Sequence, residues 1–186
     1  EWMPIRTAAQ TDQAPIYRAF QIGDLADLIM LDTRLHGRDE QFIYERDIAR
    51  LGGPETFIKD HLFDSNRTIL GADQENWLGA QLAASKDRGT TWQVIGQQVL
   101  MGKVVTPAVP DDVTAKMKAQ LPDEYSDRLD VDGLKPLAEA KLPLNLDAWD
   151  GYPLCRERVH AAFKQLASNP VVLAGDTHNA WAFNMR

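Results

Sequence analysis

The sequence predicts an α/β chain with buried strands, and three observations carry that reading. Two short strands, at 17–23 and 25–31, are joined by a tight turn at Asp24. Two amphipathic helices, at 73–85 and 154–168, each precede a further strand. The last strand, Val171-Val172-Leu173-Ala174, is wholly apolar and runs straight into Gly175-Asp176-Thr177-His178-Asn179. Helices that alternate with buried strands point to a layered α/β architecture.

Each element follows from its pattern. Tyr17 to Ile22 alternates large and small side chains and stops at Gly23, and Asp24 sits in the turn to the second strand. Spacing this short predicts a hairpin. Leu28 to Leu31 is continuously apolar, so the second strand is expected to be buried on both faces. From Leu35 to Asn66 the pattern is weak and polar, punctuated by Gly52-Gly53-Pro54, and predicts a long loop with short helical pieces. Trp77, Leu78 and Leu82 share one face of the first long helix, with Glu75 in its first turn. Thr91 to Met101 is a strand and loop interrupted by Gln97 and Gln98. Val104 to Leu142 is rich in Pro, Asp and Lys and reads as a surface excursion with one helix at 113–121. Val159, Ala162, Phe163 and Leu166 set the stripe of the second long helix, which Asn169-Pro170 ends.

Composition limits the function classes. The 186 residues are 44% apolar, and 20 Lys+Arg against 27 Asp+Glu give a formal charge of −7. This is one domain or part of one, and too apolar for a disordered chain. No run reaches the ~18 apolar residues of a membrane span. The acidic balance argues against a general nucleic-acid reader or a binder of anionic membranes. The single cysteine, Cys155, excludes an internal disulfide. Glu1-Trp2-Met3-Pro4 carries neither an initiator Met nor a signal-peptide pattern, and Arg186 follows closely on a strand and its loop. The expectation is a fragment of a longer protein.

Three segments could carry chemistry. In Gly175-Asp176-Thr177-His178 a buried strand ends, glycine permits a turn, and a carboxylate and an imidazole follow two residues apart. That donor pair suits two neighbouring metal ions, one hard and one of the Fe, Zn or Mn type. A turn-capping Asp and a structural His are the alternative. In Leu146-Asp147-Ala148-Trp149-Asp150-Gly151-Tyr152-Pro153, Asp150 and Trp149 either set up the following helix, the preferred reading, or border a site. Asp32-Thr33-Arg34, at the end of a buried strand, is either a phosphate clamp, since guanidinium matches phosphate oxygens two at a time, or an Arg–carboxylate pair, which is slightly favoured. His36, His61 and His160 have no partner at ligand spacing. Cys155 heads a helix, a position that can lower a thiol pKa, but it is read as structural. No Gly-rich phosphate loop, CxxC pair or Gly-x-Ser-x-Gly elbow is present.

Six segments in order resemble the PhoD-like alkaline phosphatase/phosphodiesterase family. They are Glu1-Trp2-Met3-Pro4-Ile5-Arg6, Asp27 to Arg34, Leu70 to Leu78, Trp92 to Val99, Asp147 to Pro153 and Gly175 to His178. The resemblance implies that residues 1–186 are the C-terminal part of a single PhoD-like metallophosphatase catalytic domain. It implies a metallophosphoesterase-like two-sheet sandwich flanked by helices (α/β/β/α), present here as an incomplete half. The partner it implies is the missing N-terminal half, which in the family carries acidic, tyrosine and cysteine ligands; Cys155 does not match that cysteine.

The implied activity is metal-dependent hydrolysis of a phosphate ester substrate by a metal-activated hydroxide. An inactive fragment or non-catalytic module, serving as scaffold or binding surface, is the alternative. Fe3+ and Ca2+ are the implied cofactors, with His178 toward the iron-type ion and Asp176 toward the calcium-type ion. Gln97 or Gln98 would reach calcium, and Asp150 and Trp149 would border the phosphate pocket. The implied location is periplasmic or secreted.

Overall fold

The computed structural model describes residues 15–122 and 131–185. They form two compact units. One runs to Gly102 and resumes at Leu146; the other is Lys103–Asn145. Of the six segments above, Glu1 to Arg6 lies outside the described residues.

The larger unit is built on one four-stranded sheet. Strands β1 (Arg18–Ile22) and β2 (Ala26–Met30) form the expected antiparallel hairpin. Gly23, at φ +58°, turns the chain, and the Leu25 N–H closes the turn on the Ile22 carbonyl at 3.2 Å. Strand β3 (Trp92–Gln97) pairs parallel to β2, and β4 (Pro170–Ala174) pairs parallel to β3. The C-terminal ends of β2, β3 and β4 therefore share one edge of the sheet.

Two helices supply the crossovers: α3 (Gly71–Asp87) between β2 and β3, and α6 (Pro153–Leu166) between β3 and β4. The Thr68 hydroxyl accepts the Leu70 and Gly71 N–H groups at 3.2 and 3.0 Å and so seats the start of α3. Leu78 and Leu82 of α3 and Val159 and Phe163 of α6 pack on Ile29 and Ile95, which point to the same face of the sheet. At the far end of α6 the chain returns to the sheet through buried Gln93. Its Oε1 accepts the Ser168 and Asn169 N–H groups at 2.9 and 3.0 Å.

Among the described residues nothing covers the opposite face of the sheet, and this corrects the expectation that β2 is buried on both sides. Phe20, Leu28, Val94 and Val171 lie in one register row of that face. Ile22 and Leu173 on the same face are 53% and 55% exposed. Leu28 and Met30 are only half-buried because, among the described residues, no second sheet lies against them. The polar interruption Asp27 is itself buried on the helix side and is paired with Arg88 at 2.7 Å.

The weakly patterned stretch after β2 contains α1 (Tyr44–Arg50), a single turn α2 (Pro54–Thr56) and a π-helical turn Phe57–Leu62. Phe57, Leu62 and Leu146 form a small separate core there. In the second unit α4 (Asp111–Gln120) matches the expected helix. A further helix, α5 (Val131–Glu139), was not anticipated, because Gly133 and Pro136 sit inside it. No helix among the described residues is long and apolar enough to cross a membrane.

Candidate functional site

The turn after β4 carries the first pair of candidate residues. Asp176 sits at φ +70°, and the Thr177 N–H donates to the Gly175 carbonyl at 2.9 Å. A left-handed backbone is uncommon outside glycine, though Asp is among the residues that tolerate it. Asp176 and His178 are both exposed at this edge. A carboxylate and an imidazole on one strand-end turn are a suitable donor pair for metal ions. They make only a partial set: among the described residues no group of three or more His, Cys, Asp or Glu is placed to hold an ion.

The loop after β2 reaches the same edge and is built to a fixed shape. The carboxylate of buried Asp32 accepts three backbone N–H groups, from Arg34 and Leu35 at 2.9 Å each and from His36 at 3.1 Å. Two side-chain amides grip the backbone beside it. Gln74 of α3 accepts the Asp32 N–H at 2.7 Å and donates to the Asp32 carbonyl at 2.8 Å. Gln98 accepts the Thr33 N–H and donates to the Leu31 carbonyl, both at 2.8 Å. Buried backbone groups that leave a strand need such partners.

This loop presents Arg34. Its Nη1 meets Asp147 Oδ2 at 2.6 Å and its Nη2 meets Asp176 Oδ1 at 3.1 Å. Asp147 is held from its other side by Arg38, whose Nη2 also donates to the Asp147 carbonyl at 3.0 Å and whose Nη1 donates to the Thr33 carbonyl at 2.9 Å. The Asp147 hydrogen bond raises the Arg34 pKa against the smaller effect of burial. Burial opposes ionisation of Asp147, but the Arg34 hydrogen bond and the two guanidinium charges outweigh it and hold its carboxyl below the usual range. Arg34 thus forms the expected carboxylate pair, but with Asp147 and Asp176; the carboxylate of Asp32 is taken up by the backbone.

The Trp-Asp-Gly-Tyr segment faces inward. Trp149 is fully buried and its indole N–H donates to Gln97 Oε1 at 3.0 Å. That oxygen also accepts the Val99 N–H at 3.3 Å, and Gln97 Nε2 is buried without a partner among the described residues. Asp150 is buried and ion-paired with Arg156. Gly151 lies so close to the Leu146 carbonyl that a Cβ would sit 1.9 Å from its oxygen. Of the two carboxylates in this segment, Asp147 is the one that reaches the strand-end cluster. Sequence reasoning singled out Asp150 and missed Asp147 and Arg38, because nothing in linear spacing separates the two carboxylates.

Other polar residues lie elsewhere. Cys155 is fully buried, and burial raises its thiol pKa, against the lowering that its place at a helix start allowed. Its Sγ donates to Glu75 Oε1 at 3.2 Å. Burial lowers the pKa of His160, whose Nε2 has no partner among the described residues. His61 lines an open polar cleft of about 370 Å³ with Phe42, Arg46 and Arg67, and neither Asp176 nor His178 lines it.

A family model described as PhoD-like phosphatase matches residues 1–186. The chain is 33% identical over 190 residues to alkaline phosphatase D of Bacillus subtilis (strain 168), a match covering 100% of this chain and 25% of that protein. It is similar to a solved structure titled "Structure of PhoD", with a TM-score of 0.63 and 30% identity, covering 95% of this chain and 26% of the other. The chain therefore spans about a quarter of the length of the relatives it matches.

Proposed function

The chain belongs to the PhoD-like phosphatase family, and from that membership we propose that it supplies one side of the catalytic centre of a metal-dependent phosphoric ester hydrolase. The observation that carries this reading is the meeting of Asp176 with Arg34 at the C-terminal edge of three parallel strands. Open α/β sheets bind their ligands at that edge. A carboxylate, an imidazole and a guanidinium there are suited to metal ions and a phosphate ester.

In this reading Asp176 and His178 would hold the metal ions, Asp176 a hard ion such as Ca2+ and His178 an ion such as Fe3+. Such ions supply Lewis-acid charge to the phosphoryl group and acidify water, so that hydroxide is available near neutral pH. The chain's own groups shape this arrangement. Arg34 stands beside one oxygen of Asp176, and the Asp32 turn with its two glutamine clamps fixes Arg34. Gln97 would reach an ion only by exchanging the hydrogen bonds its oxygen now accepts. Asp150 and Trp149 would support the pocket from beneath.

The remaining ligands, and a second sheet over the uncovered apolar face, would come from an N-terminal half of the same domain. An exposed apolar face of this extent and an incomplete donor set both support that completion. The 186 residues alone would then be inactive. By family membership the whole protein would act in the periplasm or outside the cell.

The test is hydrolysis of a chromogenic phosphodiester and phosphomonoester by the complete protein, with metal content measured in parallel. Turnover lost on chelation and on Asp176→Ala supports the reading. Turnover indifferent to both would overturn it.

A further inference from the structure

Resting on the hydrolase reading above, we infer that Arg34 is the side chain that receives a phosphoryl oxygen of the substrate, with Asp147 acting as its anchor. The argument starts from how the guanidinium is held. Its Nη1 edge is fixed on Asp147 at 2.6 Å, and Asp147 is fixed in turn by Arg38, whose side chain is only 9% exposed. The backbone beneath is tied by Asp32, Gln74 and Gln98. The position of Arg34 therefore does not depend on its second contact, to Asp176.

That second contact differs in character. At 3.1 Å it is longer, and it lies at the exposed side of the group, with the Arg34 side chain 34% exposed. Nη2 thus stands at the candidate metal-binding carboxylate and open to solvent, where an anion on the ions would arrive.

Charge decides the rest. Arg34 and Arg38 cancel Asp147 and Asp176 in the cluster as it stands. A cation on Asp176 leaves a net positive cluster and competes with Nη2 for the same carboxylate. A phosphate oxygen placed beside the ion would then restore both the charge balance and the hydrogen bond of Nη2. A guanidinium suits this role because it is always charged and its N–H groups match the spacing of phosphate oxygens. No bond is made or broken by Arg34; it binds and orients.

The test uses the complete protein and inorganic phosphate as the probe. Phosphate affinity is measured by calorimetry, beside metal content, KM and kcat, for the wild type, Arg34→Lys, Arg34→Ala and Asp147→Asn. A charged hydrogen bond of this kind is expected to be worth roughly tenfold or more in affinity. Arg34→Ala should weaken phosphate binding by about that factor with metal content unchanged. Arg34→Lys should recover part of it, since charge returns without the fork, and Asp147→Asn should fall between wild type and Arg34→Ala.

Phosphate affinity within twofold of wild type in Arg34→Ala, at full metal content, would overturn the inference and leave the hydrolase reading standing. Loss of metal in both Arg34 variants would also overturn it, since Arg34 would then act only by holding Asp176. A wild type that binds metal and phosphate but hydrolyses no ester would sink the hydrolase reading, while the Arg34 comparison still decides the phosphate site.

Discussion

Gly37 and Gly71 meet backbone to backbone. A Cβ on either would lie 2.8 Å from the Cα of the other, and both residues sit at φ +75°. The contact seats the loop that carries Arg34 and Arg38 against the first turn of α3. Alanine at either position meets a steric clash and an unfavourable φ together. Gly37→Ala is expected to cost about 2 kcal/mol or more, read as a lower urea midpoint. A midpoint equal to wild type would show that the two segments move apart freely.

The Gln97–Trp149 pair makes a second prediction. Gln97→Met and Trp149→Phe each remove one partner of a buried hydrogen bond. Each should lower stability by about 1–3 kcal/mol. Metal content of the folded protein should survive both. Selective loss of one ion in Gln97→Met at wild-type stability would instead make Gln97 a ligand.

Acid stability has a local source in α1. The carboxylate of Asp47 is buried and accepts hydrogen bonds from Arg46, from the Ile43 N–H and from Arg50. The Arg46 bond first, against the opposing effect of burial, holds its pKa well below the ordinary carboxylate range. A depressed folded value stabilises the fold above the unfolded value, near 3.9, and this contribution drains away as pH falls toward the folded value. Asp47→Asn should therefore be less stable than wild type at pH 6, with a gap that narrows from pH 4 to pH 2.5. A gap independent of pH would place the Asp47 contribution in packing rather than charge.

The uncovered sheet face predicts a difference between the isolated chain and the complete protein. Phe20, Ile22, Trp92 and Leu173 are each more than 40% exposed on one face. The 186-residue chain should bind an apolar dye strongly and self-associate. The complete protein should do neither, and Leu173→Ala in it should cost about 2 kcal/mol or more, as for a core leucine. An effect below 0.5 kcal/mol would show that the face stays in solvent.

Much of the frame was legible in the sequence because it rests on local pattern. The hairpin, α3, α6 and β4 stand within a few residues of their expected places, since apolar periodicity and Gly or Pro punctuation mark them. The segment around Tyr44–Arg50 was not resolved into its own helix, because its one fully buried polar anchor, Asp47, looks in sequence like any solvated charge. The site was legible in part. The Asp176–His178 turn and the Asp32–Arg34 loop both stand out in the sequence as candidates, but their meeting through Arg34 does not. Arg34 and Asp147 are separated by 113 residues and Arg34 and Asp176 by 142. The contact with Asp176 follows from the parallel register of β2, β3 and β4, and that with Asp147 from the loop that leads into α6.

Elemental analysis of the complete protein beside its Asp176→Ala and His178→Ala variants tests the central claim most directly. The account predicts about one iron and at least one calcium per wild-type protein, with each variant losing at least one ion and its phosphodiester turnover while keeping its fold. Full metal content in both variants would contradict the assignment of this strand-end turn as the metal-binding edge.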